Sequence, residues 1–214
     1  MRDKPSEWVS ISDLMSGVMA VVMLLLVISV LQKTYAEIKH KQEMQGSQSN
    51  QQKKMVQTLN EIKKEVSLQG AKDLIDFNIE QGTITLKDSV FAQGSACITP
   101  QAADTFTNIQ DKIEAFLMTS KQSGVFVEGH TDNTPVSKPV TDYQKFCTVY
   151  DDNYTLSAAR AREARKLLIG KLDEQTAKRV VVAGYGDSQP IHGISPKDPN
   201  NRRVVVRFIV NQQS

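Results

Sequence analysis

One long apolar run stands near the start of the chain, at residues 9–31. A helix rises ~1.5 Å per residue, so a run of this length crosses the ~30 Å of hydrocarbon in a bilayer. A secretory signal peptide is the alternative, because Arg2 and Lys4 precede the run as an n-region does. The length of the run and the acidic residues within and before it count against cleavage. We therefore predict a short N-terminal tail at 1–8 and a transmembrane helix at 9–33; the local charges do not settle which side of the membrane the tail lies on.

The next segment, residues 34–70, is rich in Lys, Glu and Gln and contains no proline, which favours a helical linker. Within it Met55, Leu59, Ile62 and Val66 are spaced four, three and four residues apart. This spacing is that of a short parallel coiled coil, which would make the chain a homodimer and the segment a dimerisation region. The alternative is an amphipathic helix that lies on the domain that follows.

After residue 70 the pattern changes to short alternating strands and amphipathic helices, which predicts one domain at 71–214. Predicted strands are 76–79, 83–87, 125–128, 180–183 and 204–210, and predicted helices are 100–118 and 156–172. The fold class is therefore α+β: a β-α-β-α-β order with a mixed sheet covered by helices on one face.

Composition excludes several functions. The net charge of +2 over 214 residues is too small for a nucleic-acid-binding surface. His130 and Asp132 have an H-x-D spacing, but no third metal ligand is near them in sequence, and no nucleophile elbow or phosphate loop occurs. We expect no enzyme, no metal and no cofactor. Cys97 and Cys147 form either a disulfide in an extracytoplasmic domain or two separate thiols.

Three motifs occur in order on the predicted elements: GHTDNTP at 129–135, NYTLSAARA at 153–161, and GYGDS at 184–188 followed by NRRV at 201–204. Together they resemble the OmpA-like peptidoglycan-binding domain over about residues 90 to 210. The resemblance implies a periplasmic domain that binds the diaminopimelate part of the peptidoglycan peptide stem. It places ligand contacts on Thr131, Asp132, Asn133, Asn153, Leu156 and Arg160, and one of Arg202 and Arg203 is expected to face the cleft, with Arg203 assigned.

The chemistry of these residues fits a zwitterion. The Asp132 carboxylate can accept hydrogen bonds from an ammonium group, and the Arg160 guanidinium can bind a carboxylate through two hydrogen bonds. The backbone around Thr131 to Thr134 is expected to supply further N–H donors. The alternative is that Asp132 and Arg160 pair with each other as a surface salt bridge, which contributes ~0–1 kcal/mol. The residues between them, including 138–152 with Cys147, are expected to form an insert beside the cleft.

The apolar run itself contains one acidic residue, Asp13. A charged side chain in a span costs roughly 2.5–3.5 kcal/mol on insertion scales, so a functional role is expected, and we assign ion transport. Ser16, Gly17 and Ala20 share a helix face with Asp13, which lets neighbouring helices approach the acid. The alternative is that Asp13 or its neighbour is the N-cap of a helix that begins at residue 14.

The sequence WVSISDLMSGVM at residues 8–19 resembles the span of MotB-type stator subunits. This resemblance implies a dimer in the bacterial inner membrane, with the N-terminus in the cytoplasm, the C-terminal domain in the periplasm, and several copies of a multi-span MotA/ZorA-like partner around it. The form of the motif is most similar to the ZorB subunits of Zorya anti-phage systems. A flagellar MotB-type subunit is second, and a passive wall anchor with no ion role is the third alternative.

Overall fold

The computed structural model describes residues 7–107, 109–119, 121 and 123–210. Within 7–13 and 40–49 it describes the backbone but not the side chains. By its internal contacts the chain divides into two compact units, residues 1–49 and 50–214. Each unit is described by itself below.

The first unit consists of helix α1 (Glu7–Leu68) up to residue 49. Its segment Leu14–Lys39 is the one helical stretch among the described residues that is long and apolar enough to cross a membrane, and none of it is buried. Because α1 already begins at Glu7, Asp13 lies inside the helix and is not its N-cap. The Asp13 side chain is outside the described residues, so its ion-carrying role stays a prediction.

The second unit begins with the last turns of α1. The four apolar residues of the predicted seam are between 0% and 4% exposed and belong to the hydrophobic core of this unit: Met55, Leu59, Ile62 and Val66. They pack against other core residues of the same chain. This packing removes their apolar surface from water and so stabilises the domain. Of the two alternatives the structure therefore has the amphipathic helix on the domain, and this seam is not free to form a coiled coil.

A five-stranded mixed sheet forms the centre of the second unit, in the order β1-β2-β5-β3-β4. The strands are β1 (Ile75–Asn78), β2 (Thr83–Lys87), β3 (Ser123–His130), β4 (Val180–Gly184) and β5 (Arg203–Val210). Only β3 and β4 are parallel among these pairs, and the α+β fold class predicted from the sequence is confirmed.

The remaining helices are α2 (Pro100–Thr107), α3 (Gln110–Thr119), α4 (Tyr143–Phe146), α5 (Asn153–Leu168) and α6 (Glu174–Ala177). The predicted helix at 100–118 is thus two helices. Helix α5 begins earlier than predicted because Asp152 is its N-cap and accepts from the Thr155 N–H at 2.6 Å. Apolar residues of α2, α3 and α5 share one core with Val125 and Val127 of β3.

Helix α5 approaches the sheet very closely at two glycines. A Cβ on Gly129 would lie 1.9 Å from the Ser157 carbonyl oxygen, and a Cβ on Gly184 would lie 2.6 Å from the Cβ of Ala158. Ser157 Oγ also accepts from the Gly186 N–H at 2.9 Å. This contact brings the N-terminal turns of α5 against the ends of β3 and β4, where the motif residues lie.

Candidate ligand-binding cleft

Three charged residues lie at the same edge of the sheet, each just before or just after one of three adjacent strands. Asp88 follows β2, Asp132 comes two residues after β3, and Arg202 immediately precedes β5. Since β5 runs antiparallel to both of its neighbours, the ends of β2 and β3 and the start of β5 meet at one edge. The order of the strands therefore assembles a cleft from segments that are far apart in the sequence.

The charged side chains of this cleft alternate in sign. Arg202 donates from Nη1 to Asp132 Oδ2 at 2.6 Å and from Nε to Asp88 Oδ2 at 2.9 Å. Arg160, on α5, donates from Nη1 to the other oxygen of Asp88 at 3.0 Å. The chain of ion pairs is thus Asp132, Arg202, Asp88, Arg160. The alternative in which Asp132 and Arg160 pair with each other is not found, because Asp132 is bonded to Arg202 and Arg160 is bonded to Asp88.

Arg160 lies beneath the cleft. Its side chain is 3% exposed, its Nε donates to the Ser95 carbonyl at 2.9 Å, and its guanidinium lies 5.2 Å from the centre of the Phe91 ring. Burial lowers the pKa of Arg160, although the neighbouring Asp88 carboxylate opposes this shift. Arg202 is about one-third exposed, so the cleft presents Arg202 to solvent while Arg160 lies buried below it. The ligand contact expected of Arg160 stays a prediction.

Asp132 is buried and ionised. Burial alone would raise the pKa of Asp132, but hydrogen bonds from Arg202 and from the Thr134 N–H, the latter 3.0 Å from Oδ1, outweigh it and hold the pKa below its usual value. For Arg202, burial acts against the charged form, and its bonds to Asp132 and Asp88 outweigh that effect and raise its pKa. Both groups are therefore charged at neutral pH.

The loop after β3 is held by α5 and by its own backbone. Asn153 Nδ2 donates to the carbonyls of Asp132 and Thr134 at 3.2 and 3.0 Å. The N–H groups of Thr131 and Asn133 donate to the carbonyls of other loops, at 2.8 and 3.1 Å. The expectation that N–H groups of this loop are free for a ligand is wrong for Thr131, Asn133 and Thr134, because the fold uses them to fix the loop. Leu156 is buried one turn into α5.

Arg203 lies on the other face of the sheet. Successive residues of a strand point to opposite faces, and Arg203 pairs in register with His130, whose ring stacks on Tyr185 at 5.3 Å. Arg203 donates to the carbonyls of Asn201 and Gln189. Of the two arginines, Arg202 bonds to Asp132, whereas Arg203 lines the cavity next to Asp88. A ligand contact of Arg203 therefore stays a prediction.

His130 is a buried neutral side chain. Burial, with a contribution from the Arg203 charge, lowers the pKa of His130 to about 4. In the part of the chain that the structure describes, His130 Nδ1 and Thr131 Oγ1 have no hydrogen-bond partner. The same part contains no cluster of three or more His, Cys, Asp or Glu side chains suited to a metal ion.

Sequence reasoning missed Asp88 and could not choose Arg202. Asp88 directly follows a predicted strand end, which is the one signal that the sequence carries for it. A cavity of about 450 Å³ opens beside these two residues, and its other wall is formed by the loop before β5 with Ile191, Ile194 and Pro199.

The structure joins Cys97 and Cys147 in a disulfide, with Cα atoms 5.0 Å apart.

Comparison with known proteins gives a family and a fold. The model of the OmpA family matches residues 90–203. A MotB-like protein from Desulfovibrio vulgaris superposes with a TM-score of 0.56 at 21% identity, over 77% of this chain and 99% of that one. The cell wall anchor of the T6SS from Pseudomonas aeruginosa gives 0.50 at 23%, over 69% and 94%. The periplasmic domain of Helicobacter pylori MotB gives 0.46 at 22%, over 60% and 76%. No curated protein sequence matches significantly.

Proposed function

The chain belongs to the OmpA family, and we propose that its C-terminal domain binds the diaminopimelate-containing peptide stem of peptidoglycan. The observation that carries this proposal is the alternating chain of charges from Asp132 through Arg202 and Asp88 to Arg160. A free end of diaminopimelate has an ammonium and a carboxylate on one carbon atom. A cleft that sets an anion and a cation side by side matches this zwitterion.

Each charged residue has a distinct role in the proposal. The Asp132 carboxylate retains lone pairs beyond its bonds to Arg202 and Thr134, so it can also accept from the ligand ammonium. Arg202 is the exposed cation and binds the ligand carboxylate. Asp88 holds Arg202 in place, and Arg160 fixes Asp88 from below. Asn153 and Leu156 shape the wall on the α5 side, and the cavity beside Ile191 and Ile194 accommodates the rest of the stem.

Binding of defined peptides tests the proposal. The full chain in detergent is titrated with a stem tripeptide that ends in diaminopimelate, and with the same peptide carrying lysine, which lacks the second carboxylate. We expect the first peptide to bind more tightly. Arg202→Ala should weaken its binding by about tenfold or more, since hydrogen bonds to charged groups contribute ~1.5–3 kcal/mol.

Arg207→Ala is the matched control, because Arg207 lies within β5, where it is paired with Glu128 and makes none of the bonds of the cleft. It should leave the affinity unchanged. Equal affinity for the two peptides, or an effect of Arg207→Ala as large as that of Arg202→Ala, would contradict the proposed site.

We further propose that the protein is an inner-membrane stator subunit that carries ions through Asp13. The apolar segment Leu14–Lys39 supports a single membrane span, and the resemblance of the motif around Asp13 to MotB-type spans supports the ion role. In this proposal the N-terminus is cytoplasmic, two chains form a dimer, and several copies of a multi-span MotA/ZorA-like subunit surround it. Protonation of Asp13 removes a charge from the membrane interior and changes the contacts with the partner, and the wall-bound domain holds the dimer still.

A defence role of the ZorB type is our first assignment and a flagellar role of the MotB type is the second. Asp13→Asn should abolish ion flux in proteoliposomes that contain the partner, with wall binding retained; Asp3→Asn, before the span, is the control. Phage plating efficiency and swimming motility of the same two variants separate the two assignments. A passive wall anchor would tolerate Asp13→Asn in every assay.

A further inference from the structure

The insert between β3 and α5 is a folded element. Its two arms are joined by reciprocal backbone hydrogen bonds between Val140 and Tyr150, at 2.8 and 3.0 Å. Between the arms lies α4, which is capped by Asp142 and ends at Cys147 in a left-handed conformation with φ 56°. The insert is therefore held in a defined conformation by its own backbone hydrogen bonds.

One side of the insert is bonded to the segment 94–97, which lies beside the cleft. The disulfide joins Cys147 to Cys97. The Phe146 carbonyl accepts from the Ala96 N–H at 3.0 Å and from Ser95 Oγ at 2.9 Å. The Tyr150 hydroxyl donates to the Gly94 carbonyl at 2.6 Å. Its other side is bonded to α5, since Arg162 donates to the Cys147 carbonyl at 2.8 Å.

Ser95 connects the insert to the charged cleft. It is 1% exposed, its Oγ also accepts from the Cys97 N–H at 2.9 Å, and its carbonyl accepts from Arg160 Nε at 2.9 Å. Arg160 is bonded in turn to Asp88, and Asp88 to Arg202. A continuous series of bonds thus leads from the disulfide to the exposed cation of the cleft.

We propose that the insert, closed by the Cys97–Cys147 disulfide, positions the Ser95 carbonyl so that it accepts from Arg160, and that this position sets the affinity of the cleft for its ligand. This inference rests on the proposed function of the cleft. The carbonyl matters because it is the second hydrogen-bond acceptor of a buried guanidinium. If Ser95 moves away, the buried Arg160 guanidinium loses a hydrogen-bond acceptor, and the geometry of its ion pair with Asp88 changes.

The test must separate positioning from ordinary stabilisation, because removal of any disulfide lowers stability. The full chain in detergent carries Cys97→Ser together with Cys147→Ser, and its affinity for the diaminopimelate tripeptide is measured at a temperature at which circular dichroism shows it folded. We expect binding about fivefold weaker or more, the effect of one lost hydrogen bond. Leu59→Ala destabilises the same domain through a core residue whose side chain makes none of these bonds, and it should bind as the unmodified chain does.

Two further measurements sharpen the result. Tyr150→Phe keeps the disulfide and removes only the bond to Gly94, so it should weaken binding by a smaller factor even if the serine pair fails to fold. In a double-mutant cycle with Asp88→Asn, the serine pair should cause less additional loss than it causes alone, because both changes act on Arg160.

Unchanged affinity in the serine pair and in Tyr150→Phe would overturn the inference, as would a loss in Leu59→Ala of the same size or full additivity with Asp88→Asn. If the unmodified chain binds no peptide, the proposed function fails instead. Hydrogen exchange of the residues 88–97 still decides the positioning claim in that case: the serine pair should expose their amides, and unaltered protection would refute it.

Discussion

Arg160 and Asp88 form an ion pair of 3.0 Å beneath the cleft, in which Arg160 is 3% exposed and Asp88 is 34% exposed. In Asp88→Asn the amide oxygen can still accept a hydrogen bond from Arg160, but the buried guanidinium loses the negative charge that compensates it. Asp88→Asn should therefore lower the free energy of unfolding by about 1–3 kcal/mol, less than the ~3–5 kcal/mol of a fully buried pair because solvent screens Asp88 in part. Denaturant titration measures this difference.

A matched control for Asp88→Asn is Asp76→Asn, which breaks the exposed pair of Asp76 and Lys87. Exposed pairs contribute ~0–1 kcal/mol, so this variant should lie within that range. An equal decrease in the free energy of unfolding for the two substitutions would mean that Asp88 does not neutralise a buried charge.

The core position of the last turns of α1 predicts a second result. Leu59 is fully buried, so Leu59→Ala should lower the free energy of unfolding by about 2–5 kcal/mol through lost apolar contact and a residual cavity. Leu68, on the same helix, is 73% exposed, and Leu68→Ala should change the free energy by under about 0.5 kcal/mol. Thermal or denaturant unfolding of the two variants compares them directly. A small effect at Leu59 would favour a helix that is free of the domain.

The close approach of α5 to β3 predicts that Gly129 tolerates no side chain. In Gly129→Ala the new Cβ would meet the Ser157 carbonyl oxygen at 1.9 Å, and because that atom is backbone the helix must shift. We expect a loss of about 3 kcal/mol or more, together with weaker ligand binding, since α5 carries Asn153 and Arg160.

Gly193→Ala controls for glycine replacement as such. Its Cβ meets no atom within 4 Å, and only its φ of +87° opposes a side chain. That strain costs about 1 kcal/mol and should not affect binding. Similar stability and binding in both variants would argue against the close helix–sheet contact.

His130 predicts a pH dependence of stability. Its pKa is lowered from 6.5 to about 4 by burial and then by Arg203. Between these two values the unfolded chain binds a proton that the folded chain does not, so the free energy of unfolding falls as the pH falls from about 6.5 to about 4. The contribution lost is of order 3 kcal/mol and is fully present above this window.

His130→Phe removes the titrating group and keeps an aromatic ring beside Tyr185, so it should flatten the pH dependence of unfolding in that window. His192→Gln, which removes an exposed histidine, should leave the dependence in place. Identical pH profiles of His130→Phe and the unmodified chain would exclude His130 as the source.

Local signals in the sequence were sufficient for much of the fold. Strand β2 lies at the predicted residues, and β4 and β5 each differ by one residue, because alternation of apolar side chains is a property of neighbouring positions. The sequence predicts the start of α5 three residues late, because the helix begins directly after its capping residue Asp152 and not at the first apolar residue. The spacing of the apolar residues at 55–66 predicts one face of a helix, which is confirmed, but the spacing does not decide what that face packs against.

The apolar segment, the order of strands and helices, the motif residues and the presence of two cysteines all follow from the sequence, because each depends on residue type and short spacing. The tertiary structure alone decided which charges pair: Arg202 with Asp132, and Arg160 with Asp88. It also decided that the end of α1 belongs to the domain core and that the insert reaches Ser95. The physical reason is that ion pairs and core contacts join residues from distant parts of the chain, and sheet order brings those parts together.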